Sequence, residues 1–302
     1  MKKVLVFTCL ALMLALSSGC TMLTEVAAQA AAVTGKVNPD HVRAVAKTGK
    51  AAAKAFDAIT PQQEYFLGRS VTASVLANYK PYDSKEATRY INLLGQTLAL
   101  KSDKPFTYDG YRFLIMDTDE INAFAAPGGF ILVSRGLLRC CPNEDALAAV
   151  LAHEVGHIQH SHGLSSIKKG RWTTVFTTAA AEAGKALGPA QIAELTAALE
   201  GSVSDITQTM VKSGYARKFE VEADRAAVMI LRRTGYNPNG LKMMLEQLHE
   251  RTKSTNKLKG FAKTHPDALV RLKEIEPLIR DFGPVTVPPA RAARFKKAMA
   301  GI

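Results

Sequence analysis

The chain has 302 residues, 47% of them hydrophobic and 22% charged, enough apolar material for a sizeable core. That composition excludes disorder, collagen or coiled coil as a description of the whole, and 4 Cys with 1 Trp exclude a disulfide scaffold. The formal net charge of +12 fits scattered solvated lysines, or attraction to anionic lipid or lipopolysaccharide; no nucleic-acid partner is expected.

Residues 1–19 open with Lys2 and Lys3, followed by an apolar run from Val4 to Leu16. The run is too short for a membrane-spanning helix and has the character of a secretion signal. Ser17, Ser18 and Gly19 lead to Cys20, as in a bacterial lipoprotein signal, although Ser17 stands where such signals usually carry an aliphatic residue. Cys20 is therefore the expected lipidation site. Thr21, which is not Asp, favours the outer membrane by resemblance to enteric lipoproteins. The expected location is the periplasmic side of that membrane, or the soluble periplasm if an ordinary signal is cleaved instead.

Residues 20–60 are read as an Ala-rich tether, residues 61–283 as the folded domain and residues 284–302 as a basic tail. Thr60-Pro61-Gln62-Gln63 carries the marks of a helix start, with helix to about Asn78 and again from Ser84 to Leu100. Residues 111–116 and 129–134 have strand character, separated by a turn at Pro127-Gly128-Gly129. Helix is expected from Pro142-Asn143 past His157, through 164–232 with breaks near Gly188-Pro189 and Gly214, over Pro238 to Lys253, and from Pro266 to before Gly283. The pattern predicts an α+β, predominantly helical fold with a small sheet packed on the helix that carries His153. Cys140 and Cys141 are neighbours, a pairing whose bridging geometry is strained.

The segment ALAAVLAHEVGHIQHSH, residues 146–162, contains His153-Glu154-Val155-Gly156-His157, an HExxH motif. Residues four apart project from one helix face, so the two imidazoles can share one zinc ion, while Glu154 can reach a water without binding the metal. Gly156 costs about 1 kcal/mol against Ala inside a helix, which points to a close backbone approach there. By itself the motif also fits a helix bearing two surface histidines.

A site of this kind needs a third protein ligand. His160 lies about 10.5 Å along the axis from His153 and His162 points to the opposite side of a continuous helix, so both are expected on the surface or behind the ligands. A metzincin would need Gly at 160 and His at 163, whereas the chain has His160 and Gly163. The better candidate is Glu220, in YARKFEVEADRAAVMIL at 215–231. Asp224, one turn on, is placed to accept a hydrogen bond from a ligand imidazole. Ala223, Ala226 and Ala227 supply a face for tight helix packing, and Glu222, offset by about 200°, is expected to face away.

Four segments in order, INAFAAPGGFILVSRGLL, HEVGH, ARKFEVEADRAAV and THPDALVRL, make the chain resemble the zinc metallopeptidase family that includes HtpX and the CAAX prenyl endopeptidase, especially its secreted bacterial members. The resemblance spans roughly Pro61 to Phe282. It implies His153, His157 and Glu220 as ligands of one zinc ion per chain and Asp224 behind them. It also implies His265 at the active site, either polarising the scissile carbonyl or acting as a fourth ligand at rest, with Arg271 as the matching arginine. The implied activity is endopeptidase cleavage of unfolded or stalled envelope proteins, with Glu154 as general base. Asn122, Ala123, Phe124 and Ala125 are expected to offer an edge strand to an extended substrate, or to form only a hairpin in the core sheet. Two further readings stand beside this one. The chain is a chaperone-like outer-membrane assembly factor with gated or little proteolysis, or it touches membrane or a partner through Arg291, Arg294, Lys296 and Lys297 unless its tail is merely solvated.

Overall fold

The computed structural model describes residues 59–168, 170–171, 189–255, 261–265 and 268–302. The signal, Cys20 and nearly all of the tether lie outside the described residues.

Helix α1 (Pro61–Leu76) starts as its sequence predicts. The Thr60 hydroxyl accepts from the Gln63 amide at 3.2 Å, and the Gln63 side chain accepts from the Thr60 amide at 2.9 Å, with Pro61 opening the first turn. Helix α2 (Lys85–Ala99) is capped by Ser84. Three strands follow: β1 (Arg112–Met116), β2 (Ala123–Ala126) and β3 (Phe130–Ser134), in the order β1-β3-β2. β1 runs parallel to β3, and β2 pairs with β3 as an antiparallel hairpin. The tight turn Pro127–Gly129 joins the hairpin through Gly128 at φ 75°, a conformation that favours glycine.

Alternation along the strands sends Phe113, Ile115, Ala123, Ala125, Ile131 and Val133 into the main core, where they meet α2 and the central helix. After the short α3 (Arg135–Leu138), that central helix, α4 (Glu144–Gln159), begins at Asn143, whose side chain accepts from the Ala146 amide at 2.9 Å. Every residue of α4 but the last is buried, so its histidines sit inside the molecule. The other α-helices among the described residues are α5 (His162–Ser165), α6 (Pro189–Gln208, continued by a π-helical turn at Thr209–Ser213), α7 (Arg217–Thr234), α8 (Asn239–Thr255), α9 (Phe261–Thr264), α10 (Ala268–Ile279) and α11 (Pro289–Ala298). Predominantly helical with one small sheet on α4, the architecture is the one expected.

Among the described residues the most extensive helix pairing is α4 against α7. A Cβ on Gly156 would stand 2.8 Å from the Ala223 carbonyl oxygen and 3.2 Å from the Ala226 Cβ. The absent side chain at 156 and the small residues of α7 let the two backbones nearly touch. Among the described residues no helix is long and apolar enough to cross a membrane. Cys140 and Cys141 are buried, their thiols donating to the carbonyls of Gly136 and Leu137.

The C-terminal stretch departs from a solvated tail. Arg294 of α11 donates through Nε to Glu144 Oε2 at 2.6 Å and through Nη2 to Glu144 Oε1. Arg291 donates to Asp145 Oδ1 at 3.0 Å. Tyr90 and Tyr236 also donate to Glu144, at 2.7 and 2.6 Å. A carboxylate with this many donors lets α11 dock on the first turn of α4.

Candidate metal centre

Helices α4 and α7 bring His153, His157 and Glu220 together, and the residue after α9, His265, joins them. One ligand atom from each of the four lies within 4.8 Å of all the others. His153 Nε2 stands 3.1 Å from His157 Nε2, 3.2 Å from His265 Nδ1 and 3.5 Å from Glu220 Oε2. Glu220 Oε1 is 3.5 Å from His157 Nε2, and Glu220 Oε2 is 3.2 Å from His265 Nδ1. A tetrahedron whose arms are about 2.0–2.1 Å long has edges of about 3.4 Å, so these separations match the ligand shell of one zinc ion.

Hydrogen bonding points the same way. His153 Nδ1 lies 2.9 Å from Asp224 Oδ1, and a carboxylate only accepts, so Nδ1 carries the hydrogen. When the ring is neutral, Nε2 then presents its lone pair to the cluster, which is the form a metal needs. Glu220 Oε1 and both oxygens of Glu154 are buried without a hydrogen-bond partner. Buried carboxylate oxygens in that state are costly unless a cation or substrate group meets them. The donor set therefore fits zinc.

Behind the cluster, Arg271 donates to both oxygens of Asp224 at 2.7 Å and lies 3.1 Å from Glu220 Oε2. Burial pushes the Asp224 and Glu220 carboxyls up, but the charges facing them win. Arg271 holds Asp224 below its ordinary range, while His265 and then Arg271 hold Glu220 well below it. Burial pushes the Glu154 carboxyl upward, against the pull of His265 and His153. Burial also drives His157 well below the usual histidine range, with His153 adding to the effect. For His153, burial and Arg271 pull downward, yet Asp224 and Glu220 prevail and carry it up to about 9.

All seven residues expected in this region, His153, Glu154, His157, Glu220, Asp224, His265 and Arg271, converge. One expectation, the direction of His162, fails for a local reason. Helix α4 ends at Gln159, and Ser161 takes the left-handed conformation at φ 53°. The turn carries His162 back onto His157, their Nδ1 atoms 2.9 Å apart, rather than to the far side of a continuous helix. Glu222 faces away from the cluster but reaches His162 Nε2 at 3.0 Å. Tyr215, which sequence reasoning did not single out, stacks on His157 with centroids 4.4 Å apart. Its place before the Glu220 helix was the signal available.

The segment expected to meet substrate is placed differently from an open edge. β2 does lie at one edge of the sheet, but Asn122, Ala123, Phe124 and Ala125 are all buried. The Asn122 side chain accepts from the Ala123 amide at 3.0 Å and its backbone pairs with Ser134, tying off the strand start. The Phe261 amide donates to the Ile121 carbonyl at 2.6 Å, and the Tyr215 amide to that of Thr264 at 3.1 Å, so α9 spans the ground between β2 and α7. His265, stacked on Phe261 at 4.1 Å, is 4% exposed.

Comparison with known proteins gives concordant results. The profile of peptidase family M48 matches residues 85–279. The chain is 30% identical over 199 residues to the Beta-barrel assembly-enhancing protease of Escherichia coli (strain K12), covering 64% of this chain and 40% of that protein. It is 32% identical over 159 residues to Mitochondrial metalloendopeptidase OMA1 of Schizosaccharomyces pombe, covering 51% of this chain and 42% of that one. Metalloprotease LoiP of Escherichia coli is 28% identical over 165 residues, which is 55% of this chain and 59% of LoiP. The chain thus spans about 40% of the length of the first of these relatives.

Proposed function

Because the chain belongs to peptidase family M48, we propose that it is a zinc-dependent endopeptidase acting on unfolded or misassembled proteins of the bacterial envelope. The observation that carries this reading is the convergence of His153, His157 and Glu220 at zinc-ligand spacings, with the buried Glu154, its oxygens without a hydrogen-bond partner, beside them. A zinc ion held there supplies Lewis acidity toward water and the scissile carbonyl. Glu154 takes the proton of the attacking water and delivers it to the leaving amine. The upward push that burial gives its carboxyl suits a group that must both accept and return a proton. Asp224 orients His153, and Arg271 holds Asp224 ionised.

His265 has two roles in this reading. With Nδ1 among the ligand atoms, it completes the shell and closes the centre at rest. Moved aside, it serves as a donor to the oxyanion, and substrate then pairs with β2. The burial of β2 and of the whole cluster supports gated proteolysis, and hence keeps alive an assembly-factor role with little turnover. The name of the Escherichia coli relative and the signal-like run before Cys20 both support an envelope setting, with Cys20 as the lipidation site in this reading.

Casein cleavage by the purified, zinc-loaded chain is the direct test. Activity in the wild type, its loss in Glu154→Gln and a changed rate in His265→Ala are expected. A chain that holds zinc and cleaves nothing, with or without His265, would leave the assembly-factor reading in its place.

A further inference from the structure

The two histidines of the HExxH motif are oriented by different means. His153 donates straight to a buried carboxylate, Asp224. His157 has no carboxylate at its Nδ1; 2.9 Å away stands Nδ1 of His162, whose side chain is 1% exposed. On its other nitrogen, His162 lies 3.0 Å from Oε2 of Glu222, a side chain 48% exposed.

We propose that His162 and Glu222 form a positioning relay that fixes the tautomer of His157 for metal binding. This inference rests on the zinc reading given above. The Glu222 carboxylate only accepts, so Nε2 of His162 carries the hydrogen. A neutral His162 then has a bare lone pair on Nδ1, and the contact with His157 closes only if His157 Nδ1 donates. His157 Nε2 is thereby left with its lone pair directed at the cluster, 3.1 Å from His153 Nε2 and 3.5 Å from Glu220 Oε1. Tyr215 holds the plane of the same ring from its face, 21° from parallel. The left-handed turn at Ser161 makes the relay possible, because a continued helix would carry His162 out of reach. His162 is not itself a ligand: its Nδ1 is engaged by His157, and it stands outside the four-residue group.

Zinc affinity, measured by competition with a chromophoric chelator, tests the relay. His162→Leu removes the acceptor and is expected to weaken zinc binding about 10–100-fold. His162→Asn places an amide oxygen near the Nδ1 position and is expected to recover most of that loss. His162→Gln reaches Glu222 but offers nothing at Nδ1, and should stay as weak as Leu. Circular dichroism of the metal-free variants confirms that each is folded, and Glu222→Lys, at a half-exposed position, sets a donor against Nε2 and should weaken zinc binding without touching the core. In the zinc-loaded wild type, long-range ¹H–¹⁵N spectra are expected to show His162 protonated at Nε2 and His157 at Nδ1. Equal affinities for the Leu and Asn variants, or a His162 protonated at Nδ1, would overturn the relay. If the wild type binds zinc and His162→Leu binds it equally well, the relay fails alone; if the wild type takes up no zinc, the metal reading fails with it.

Discussion

At the scale of single residues, the two carboxylates nearest the cluster separate binding from chemistry. Glu154→Gln is expected to keep zinc, measured by elemental analysis, while casein turnover falls by about 10²–10⁴-fold, the usual worth of a positioned base. Glu220→Gln should instead lower the zinc content itself. Arg271 is 1% exposed and ion-paired to Asp224, so Arg271→Met strands a buried carboxylate and is expected to destabilise the fold by about 3–5 kcal/mol in denaturant unfolding. The spacing of His153, Glu154 and His157, and of Glu220 and Asp224, already contained these assignments, because four residues make one helical turn. His265 and Arg271 had no such pattern around them and were reached only by resemblance. Tyr215 and the His162–Glu222 contact depend on a turn after α4 that periodicity does not announce.

Among the elements, α4 packs closely on α7 at Gly156. Gly156→Val is expected to push these helices apart and cost about 1–3 kcal/mol, visible as a lower melting temperature together with weaker zinc retention. Residue 156 was flagged in the sequence because a helix-interior glycine is otherwise unfavourable; its partner, the Ala223 carbonyl, was not. The docking of α11 on α4 has a pH dependence of known sign. Burial pushes the Glu144 carboxyl up, but hydrogen bonds from Arg294, Tyr236 and Tyr90 outweigh it and set it below its ordinary value. The stabilisation is therefore present above the unfolded carboxylate pKa of about 4.3 and disappears as pH falls through the folded value. The melting temperatures of wild type and Glu144→Gln should differ at neutral pH and converge in acid. A row of arginines after prolines looks like a solvated tail in one dimension; only packing shows that Glu144 and Asp145, the cap-proximal acids of α4, are their partners.

For the whole molecule, the centre is enclosed: His153, Glu154, His157 and Glu220 are each at most 1% exposed. His265 supplies one of the four gathered ligand atoms, so His265→Ala is expected to be more susceptible to exchange of zinc with a chelator than the wild type. Membrane attachment belongs to this scale too. Cys20→Ser should shift the protein from the membrane to the soluble fraction on cell fractionation, and continued sedimentation would count against lipid anchoring. The sequence alone determined the helical-turn spacing of His153 with His157 and of Glu220 with Asp224, the helix starts at Thr60 and Asn143, the two strands of the parallel pair, β1 and β3, and the helical character of the fold, all of which rest on local periodicity and capping. Tertiary structure alone decided that α4 is buried along its length, that the edge strand β2 is covered, that His162 returns to His157 and that α11 clamps the start of α4. These depend on which distant surfaces meet, and the free energy of that meeting is set by shape and paired charge across the core rather than by any residue's neighbours in the chain.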